Sequence, residues 1–158
     1  MDLNAVARRA TWRAVEAVDS AALSRTPAGG GWSVLQVLEH LHLMDSINVT
    51  RFREAAPLAE PPAPDLSTAL NLGSRLNAPA PTQPQGAFAT LDDARRAMAA
   101  SHAALRQAFA EAESEGRADT HGSVHPVFGP ITIRQRFEVI ALHELRHLYQ
   151  IYRILGSA

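Results

Sequence analysis

Seven of the ten prolines fall between residues 57 and 89: Pro57, Pro61, Pro62, Pro64, Pro79, Pro81 and Pro84. Proline lacks the backbone donor that a helix interior and a sheet ladder both need. The long regular elements therefore lie on either side of this stretch, with at most a short helix near residues 67–76 inside it. A connection of this length is unusual in a compact domain. It can carry the chain the full length of a bundle, so the helices before and after it need not be antiparallel.

Four helical patterns flank it. Residues 2–23 contain neither Gly nor Pro, and Thr11, Val15, Val18 and Ala22 recur at three- and four-residue steps. This predicts one helix with a modest apolar face, stopped by Pro27 and the glycines 29–31. Ser33 with Gln36 is a capping box, and Trp32 before the cap can pack on Val37, so a second helix runs from there to about Ala55. Thr90 opens a third, to about Glu115, with Leu91, Ala94, Met98, Leu105, Phe109 and Ala112 as its apolar face. Thr132 with Gln135 opens a fourth, to about Leu155. No alternating β pattern and no internal repeat is present, and residues 117–130 read as a linker. The expectation is an all-α four-helix bundle with one long crossover between helices 2 and 3, a single domain over residues 1–158.

Composition removes several chemistries. All 15 basic residues are arginine, which excludes a Schiff-base or P-loop lysine. There is no cysteine, hence no disulfide, thiolate zinc site or cysteine nucleophile. Any metal must be held by histidine and oxygen ligands. The net charge of -1 favours neither nucleic acid nor an anionic membrane. No apolar run reaches the length of a membrane span, and the first residues, MDLNAVARRATW, lack a signal-peptide core, so a cytoplasmic protein is expected.

The histidines carry the functional signal. His143-Glu144-Leu145-Arg146-His147 reads H-E-x-x-H, which puts two imidazoles on one helix face. At about 100° per residue, His40 falls within the inward face defined by Val37, Met44 and Ile47. His143 and His147 fall on the face of Ile133, Phe137, Ile140, Ile151 and Ile154. His42 and Glu39 point outward on the same reckoning. Three inward histidines from two helices either form a hydrogen-bonded structural cluster or share a metal ion. His102 shares a face with Met98, Leu105 and Phe109, as a core histidine or a further ligand. His121 and His125 sit in the linker.

Two rival metal sites fit less well. A zinc peptidase of the H-E-x-x-H type needs a third ligand, and residues 148–158 contain no His, Asp or Glu. No strand edge is expected for holding a peptide. A di-metal carboxylate bundle could use Glu39-x-x-His42, Glu144-x-x-His147, Glu16 and Glu111, but Glu39, His42 and Glu16 lie off the inward faces. Glu144 remains either a base beside the metal or a helix glutamate paired with an arginine.

GWSVLQVLEHLHLMD followed by HPVFGPITIRQRFEVIALHELRHLYQI resembles the DinB-like (YfiT-type) metal-binding superfamily. The likeness extends from about residue 5 to 155 and includes the crossover. It implies an up-down-down-up bundle and a mononuclear site of His40, His143 and His147, with Gln150 after the last ligand. It also implies nickel or zinc, with manganese and iron as further candidates, and a tendency to dimerise. Characterised relatives include bacillithiol- or mycothiol-using transferases. The expected protein is therefore a metal-dependent thiol transferase, with a low-molecular-weight thiol cosubstrate, or a small-molecule hydrolase. A non-catalytic metal- or small-molecule-binding stress-response bundle is the alternative. Arg51, on the inward face of helix 2, reads as a substrate-carboxylate ligand or as an arginine reaching water. Leu142, Leu145, Tyr149 and Tyr152 form a second apolar stripe that needs cover from the crossover or from a second subunit.

Overall fold

The computed structural model describes residues 2–60, 63–70 and 78–156. Four long helices dominate: α1 (Leu3–Val15), α3 (Val34–Arg53), α4 (Leu91–Ser114) and α5 (Ile133–Gly156), with a short α2 (Ser20–Ser24) between the first two. The expected single helix over residues 2–23 is thus two. Asp19 accepts from Ala21 N at 3.0 Å and caps α2 separately, which turns the chain at residues 16–19. The expected caps of α3 and α4 both form as reciprocal boxes, Ser33 with Gln36 and Thr90 with Asp93. Thr132 and Gln135 exchange the same pair of bonds at the start of α5.

Helix directions follow from which residues meet. Asn4 donates to Phe137 O and Arg8 to Glu144, so α1 and α5 run parallel. Leu38 shares one apolar cluster with Ile151, and Phe52 shares another with Ile133, so α3 opposes α5. Met98 lies in the first cluster and Leu105 and Ala112 in the second, so α4 follows α3. The bundle is up-down-down-up, and the crossover returns the chain between two parallel helices.

The core has two apolar ends. One gathers Val15, Leu23, Val34, Val37, Leu38, Leu41, Met98 and Ile151; the other gathers Phe52, Leu105, Ala108, Ile133 and Ile140. Each fully buried Leu, Ile or Met contributes about 1.5–3 kcal/mol. Between them in register lies a polar layer of Arg8, Asp45, Asn48, Ser101 and Glu144, all buried. This layer shifts the inward face of α3. Its centre is Leu38, Leu41, Asp45, Asn48 and Phe52, whereas Met44 and Ile47 are half-buried. Polar residues at the centre of the stripe hid its true axis. Glu39 and His42 do not point to solvent either. Glu39 is buried under the crossover, accepting from the amides of Gln85, Gly86 and Ala87, and His42 is half-buried against Phe88.

Residues 117–130 are not a simple linker. Strands β2 (His121–His125) and β3 (Gly129–Thr132) form a hairpin, and β1 (Ala56–Pro57) pairs with β2. The strands are too short and too rich in Gly and Pro to show alternation. Gly122 sits where a Cβ would come within 2.0 Å of the Ile131 carbonyl oxygen, so only glycine lets β2 and β3 approach this closely. The short helix expected within the crossover appears as a 3-10 turn at Leu66–Leu70, and residues 71–76 lie outside the described residues.

Candidate metal centre

His40 comes from α3, and His143 and His147 lie one turn apart on α5. The antiparallel pairing of the two helices brings all three together. The Nε2 atoms of His40 and His143 are 3.4 Å apart, and those of His147 and His143 are 3.1 Å apart. His40 is 2% and His147 8% exposed, so water does little to satisfy them. Each outward ring nitrogen is tied down. His40 Nδ1 donates to the Thr82 carbonyl at 2.6 Å, and His147 Nδ1 donates to Gln150 Oε1 at 2.8 Å.

The crossover supplies the first of these partners. Thr82 closes a 3-10 turn, Ala80–Thr82, whose start follows Pro79 and which contains Pro81. The fixed φ of Pro81 restricts the backbone of the turn that presents the Thr82 carbonyl to His40. Trp32 closes another side, its ring 5.0 Å from that of His40 and 6.3 Å from that of His147. Gly30 (φ 77°) and Gly31 (φ 107°), just before it, take the positive φ that glycine allows.

These bonds fix the protons. With Nδ1–H committed outward on His40 and His147, both Nε2 atoms face His143 as bare lone pairs. A proton on His143 Nε2 can serve one of them and leaves the other unmatched. The rings stay neutral near pH 7. Burial lowers the pKa of His40, carries His143 well below the usual value with help from its two neighbours, and pushes His147 down to about 3. Two bare Nε2 atoms and a third neutral imidazole, which turns its own Nε2 lone pair inward when its proton sits on Nδ1, suit a divalent ion. Orientation of a ligand ring by an N–H bond to a carbonyl or amide oxygen is the usual support for one. The residues present therefore fit a metal, and they form the one such group among the described residues.

Beside the triad, Arg8 of α1 ties the helices together. Its Nε donates to Glu144 Oε1 at 2.9 Å, its second terminal nitrogen to Asp45 Oδ2 at 2.9 Å, and its first to Met98 O at 3.2 Å. Ser101 Oγ adds a bond to Asp45 at 3.3 Å. Glu144 is 1% exposed and faces Arg8 within the polar layer. The arginine that pairs with Glu144 comes from α1. His102 is half-buried with Nδ1 3.9 Å from Asp45, and burial pushes it down to about 4; it stands apart from the triad. His121 and His125 mark the two ends of β2. A surface hollow lined by Ser20, Ser24, Leu35 and Leu91 bears no titratable or metal-ligating side chain.

Sequence reasoning missed Arg8 and Thr82. Asn4, Arg8, Thr11 and Val15 are one buried stripe of α1, but its first half is polar and so carries no hydrophobic period. The Thr82 contribution is a carbonyl, which no side chain advertises.

The fold and the cluster define a helical bundle able to hold a metal ion between two of its helices. The model of the DinB superfamily matches residues 4–151, and the chain belongs to that superfamily. It is 29% identical over 152 residues to the uncharacterized protein YuaE of Bacillus subtilis (strain 168), covering 94% of this chain and 92% of that one. The crystal structure of TT2238, a four-helix bundle protein, has a TM-score of 0.63 to it at 20% identity, covering 96% of this chain and 94% of that one. That likeness bears on the fold alone.

Proposed function

We propose that this protein is a divalent-metal-dependent enzyme that acts on a small molecule, as a thiol transferase or a hydrolase, with His40, His143 and His147 as its ligands. The observation that supports this most is the pair of bare Nε2 atoms, on His40 and His147, turned toward a third imidazole. Nickel or zinc suits such nitrogen ligands, and manganese or iron would be weaker occupants. Three protein ligands leave a coordination position free. When bound, the ion supplies Lewis acidity and lowers the pKa of a thiol or water brought beside it.

The chain's own contribution is orientation. Thr82 and Gln150 hold two rings, Trp32 shields the histidines on one side, and Arg8 keeps Glu144 engaged away from proton transfer. A low-molecular-weight thiol is the cosubstrate in the transferase version. Protein purified without added ions should conjugate a thiol to an electrophilic substrate, or hydrolyse an activated ester, in a panel assay. That activity should fall to background with chelator and return with nickel or zinc. Turnover that survives complete removal of metal would sink the reading. Stoichiometric metal with no turnover would leave a metal-binding bundle instead.

The second stripe of α5 supports a homodimer in this reading. Tyr149 and Tyr152 are 47% and 55% exposed, while Leu142 and Leu145 are half-buried. The turn at Leu66–Leu70 packs on α5 but leaves both tyrosines open. Light scattering at micromolar concentration should give twice the chain mass, and a monomer mass would refute it.

A further inference from the structure

The face that carries the triad continues toward the hairpin, and there its chemistry changes. On α3, His40, Met44, Ile47 and Arg51 share one stripe. On α5, His147, His143, Ile140 and Arg136 share another. Because the helices are antiparallel, both stripes end in an arginine on the hairpin side. Arg136 is 3% exposed, and its terminal nitrogen donates to the carbonyls of Ser123 (3.2 Å) and Val124 (3.1 Å), the two residues before His125. The pairing of β1 with β2 and a bond from Arg117 to Phe52 O fix the hairpin beside the end of α3 that carries Arg51.

The two arginines bring charged donors to this corner without a counter-charge. Val127 N donates to His125 Nδ1 at 3.1 Å, so the proton of the neutral ring sits on Nε2 and that atom is a donor. Arg51 is half-buried, and among the described residues no carboxylate lies within ion-pair distance of it or of Arg136. The groups feel one another. Burial and then Arg51 push Arg136 down to about 10, and burial, Arg136 and Arg51 push His125 down to about 4. Uncompensated cations at low exposure are costly, and folded proteins pair them. Elsewhere this chain does so, giving Arg8 two buried carboxylates.

We propose that Arg51, Arg136 and His125 Nε2–H form a binding site for an oxyanion, the carboxylate or phosphate end of a small molecule. The guanidinium fork matches both groups, and the imidazole adds a third donor. At 1.5 Å per residue the site lies about 10–16 Å along the helices from the triad. A ligand anchored here by its anionic end would have to span that distance to reach a metal at the histidines. Only this last statement rests on the metal-dependent reading; the anion site itself does not.

Metal-free protein at low ionic strength, titrated separately with inorganic phosphate and with succinate, tests the site by calorimetry and by the arginine Nε–Hε NMR signals. Saturable binding is expected for at least one, and the stronger of the two identifies the anion class. Arg51→Met should weaken it about tenfold or more, the loss of a charged hydrogen bond. Arg53→Met, on the exposed side of the same turn, should leave it unchanged. Arg136→Lys keeps the charge but not the fork and should weaken binding while holding the fold, checked by thermal unfolding. Absence of saturable binding, or equal loss in Arg51→Met and Arg53→Met, would overturn the proposal. Since no metal is present, failure here leaves the metal site untouched, and failure of metal binding leaves this result standing.

Discussion

Arg8→Met is expected to destabilise the protein more than any other single change to its polar layer, by about 3–5 kcal/mol at pH 7. The reason is not the loss of two good ion pairs. A buried pair is worth little against a hydrophobic replacement, because desolvation consumes most of the attraction. The loss is large because Asp45 and Glu144 stay behind, 1% exposed each, with no cation to offset the charge they keep or to satisfy their oxygens. For a chain of this length the midpoint of thermal unfolding should fall by about 10 °C. Arg8→Met combined with Asp45→Asn and Glu144→Gln should recover much of that. A drop confined to about 1 kcal/mol in urea unfolding would mean that water reaches this layer and that its charges are not truly buried.

The pH dependence follows with a definite sign. Burial raises the Asp45 carboxyl from 3.8 to about 6, and the Arg8 charge pulls against that shift without cancelling it. The folded state therefore holds a proton on Asp45 that the unfolded state has lost between about pH 4 and pH 6. Its contribution to stability is full below that window and disappears as the pH rises through it. With Arg8 removed the shift grows, so the deficit of Arg8→Met should be largest near pH 8 and shrink toward pH 5. Parallel pH profiles for variant and wild type would contradict this.

His147→Ala is expected to abolish tight metal binding. The remaining pair, His40 and His143, cannot enclose an ion and keep the Nδ1 support that Gln150 gives. The graded control is Gln150→Leu, which removes only the bond that orients His147. That change should weaken affinity about 10- to 100-fold, the usual loss of a supporting partner. The ordering, with His147→Ala far weaker than Gln150→Leu and both weaker than wild type, separates a ligand from a spectator. Trp32 supplies the readout. Its ring lies 5.0 Å from that of His40, so a paramagnetic ion at the triad should quench its fluorescence, with Trp32→Phe reporting the share of Trp12. An affinity unchanged in His147→Ala would mean the ion sits elsewhere.

Much of this arrangement is written in local sequence. Ser33–Gln36, Thr90 and Thr132–Gln135 announce three helix starts, because capping is a contest between neighbours over a few backbone donors. Periodicity placed His40, His143 and His147 on facing sides of two helices, and the proline-rich stretch announced the crossover. Local sequence also misled where the winning interaction was distant or polar. The break near Asp19 lay inside an unbroken apolar pattern. The short hairpin carries no alternation. Asp45 and Asn48 sit at the centre of a face that hydrophobicity alone would assign to Met44 and Ile47.

H-E-x-x-H by itself determined that two imidazoles share one side of a helix, since that follows from the helical period. It did not determine what the glutamate does. Glu144 turns to Arg8 because α1 lies parallel to α5 and delivers a guanidinium at that level, 136 residues away in sequence. The crossover likewise reads from sequence only as a long connection. Tertiary structure decided that it returns at Thr82 to lend a carbonyl to His40, because a backbone atom has no signature of its own and is placed only when the whole chain packs.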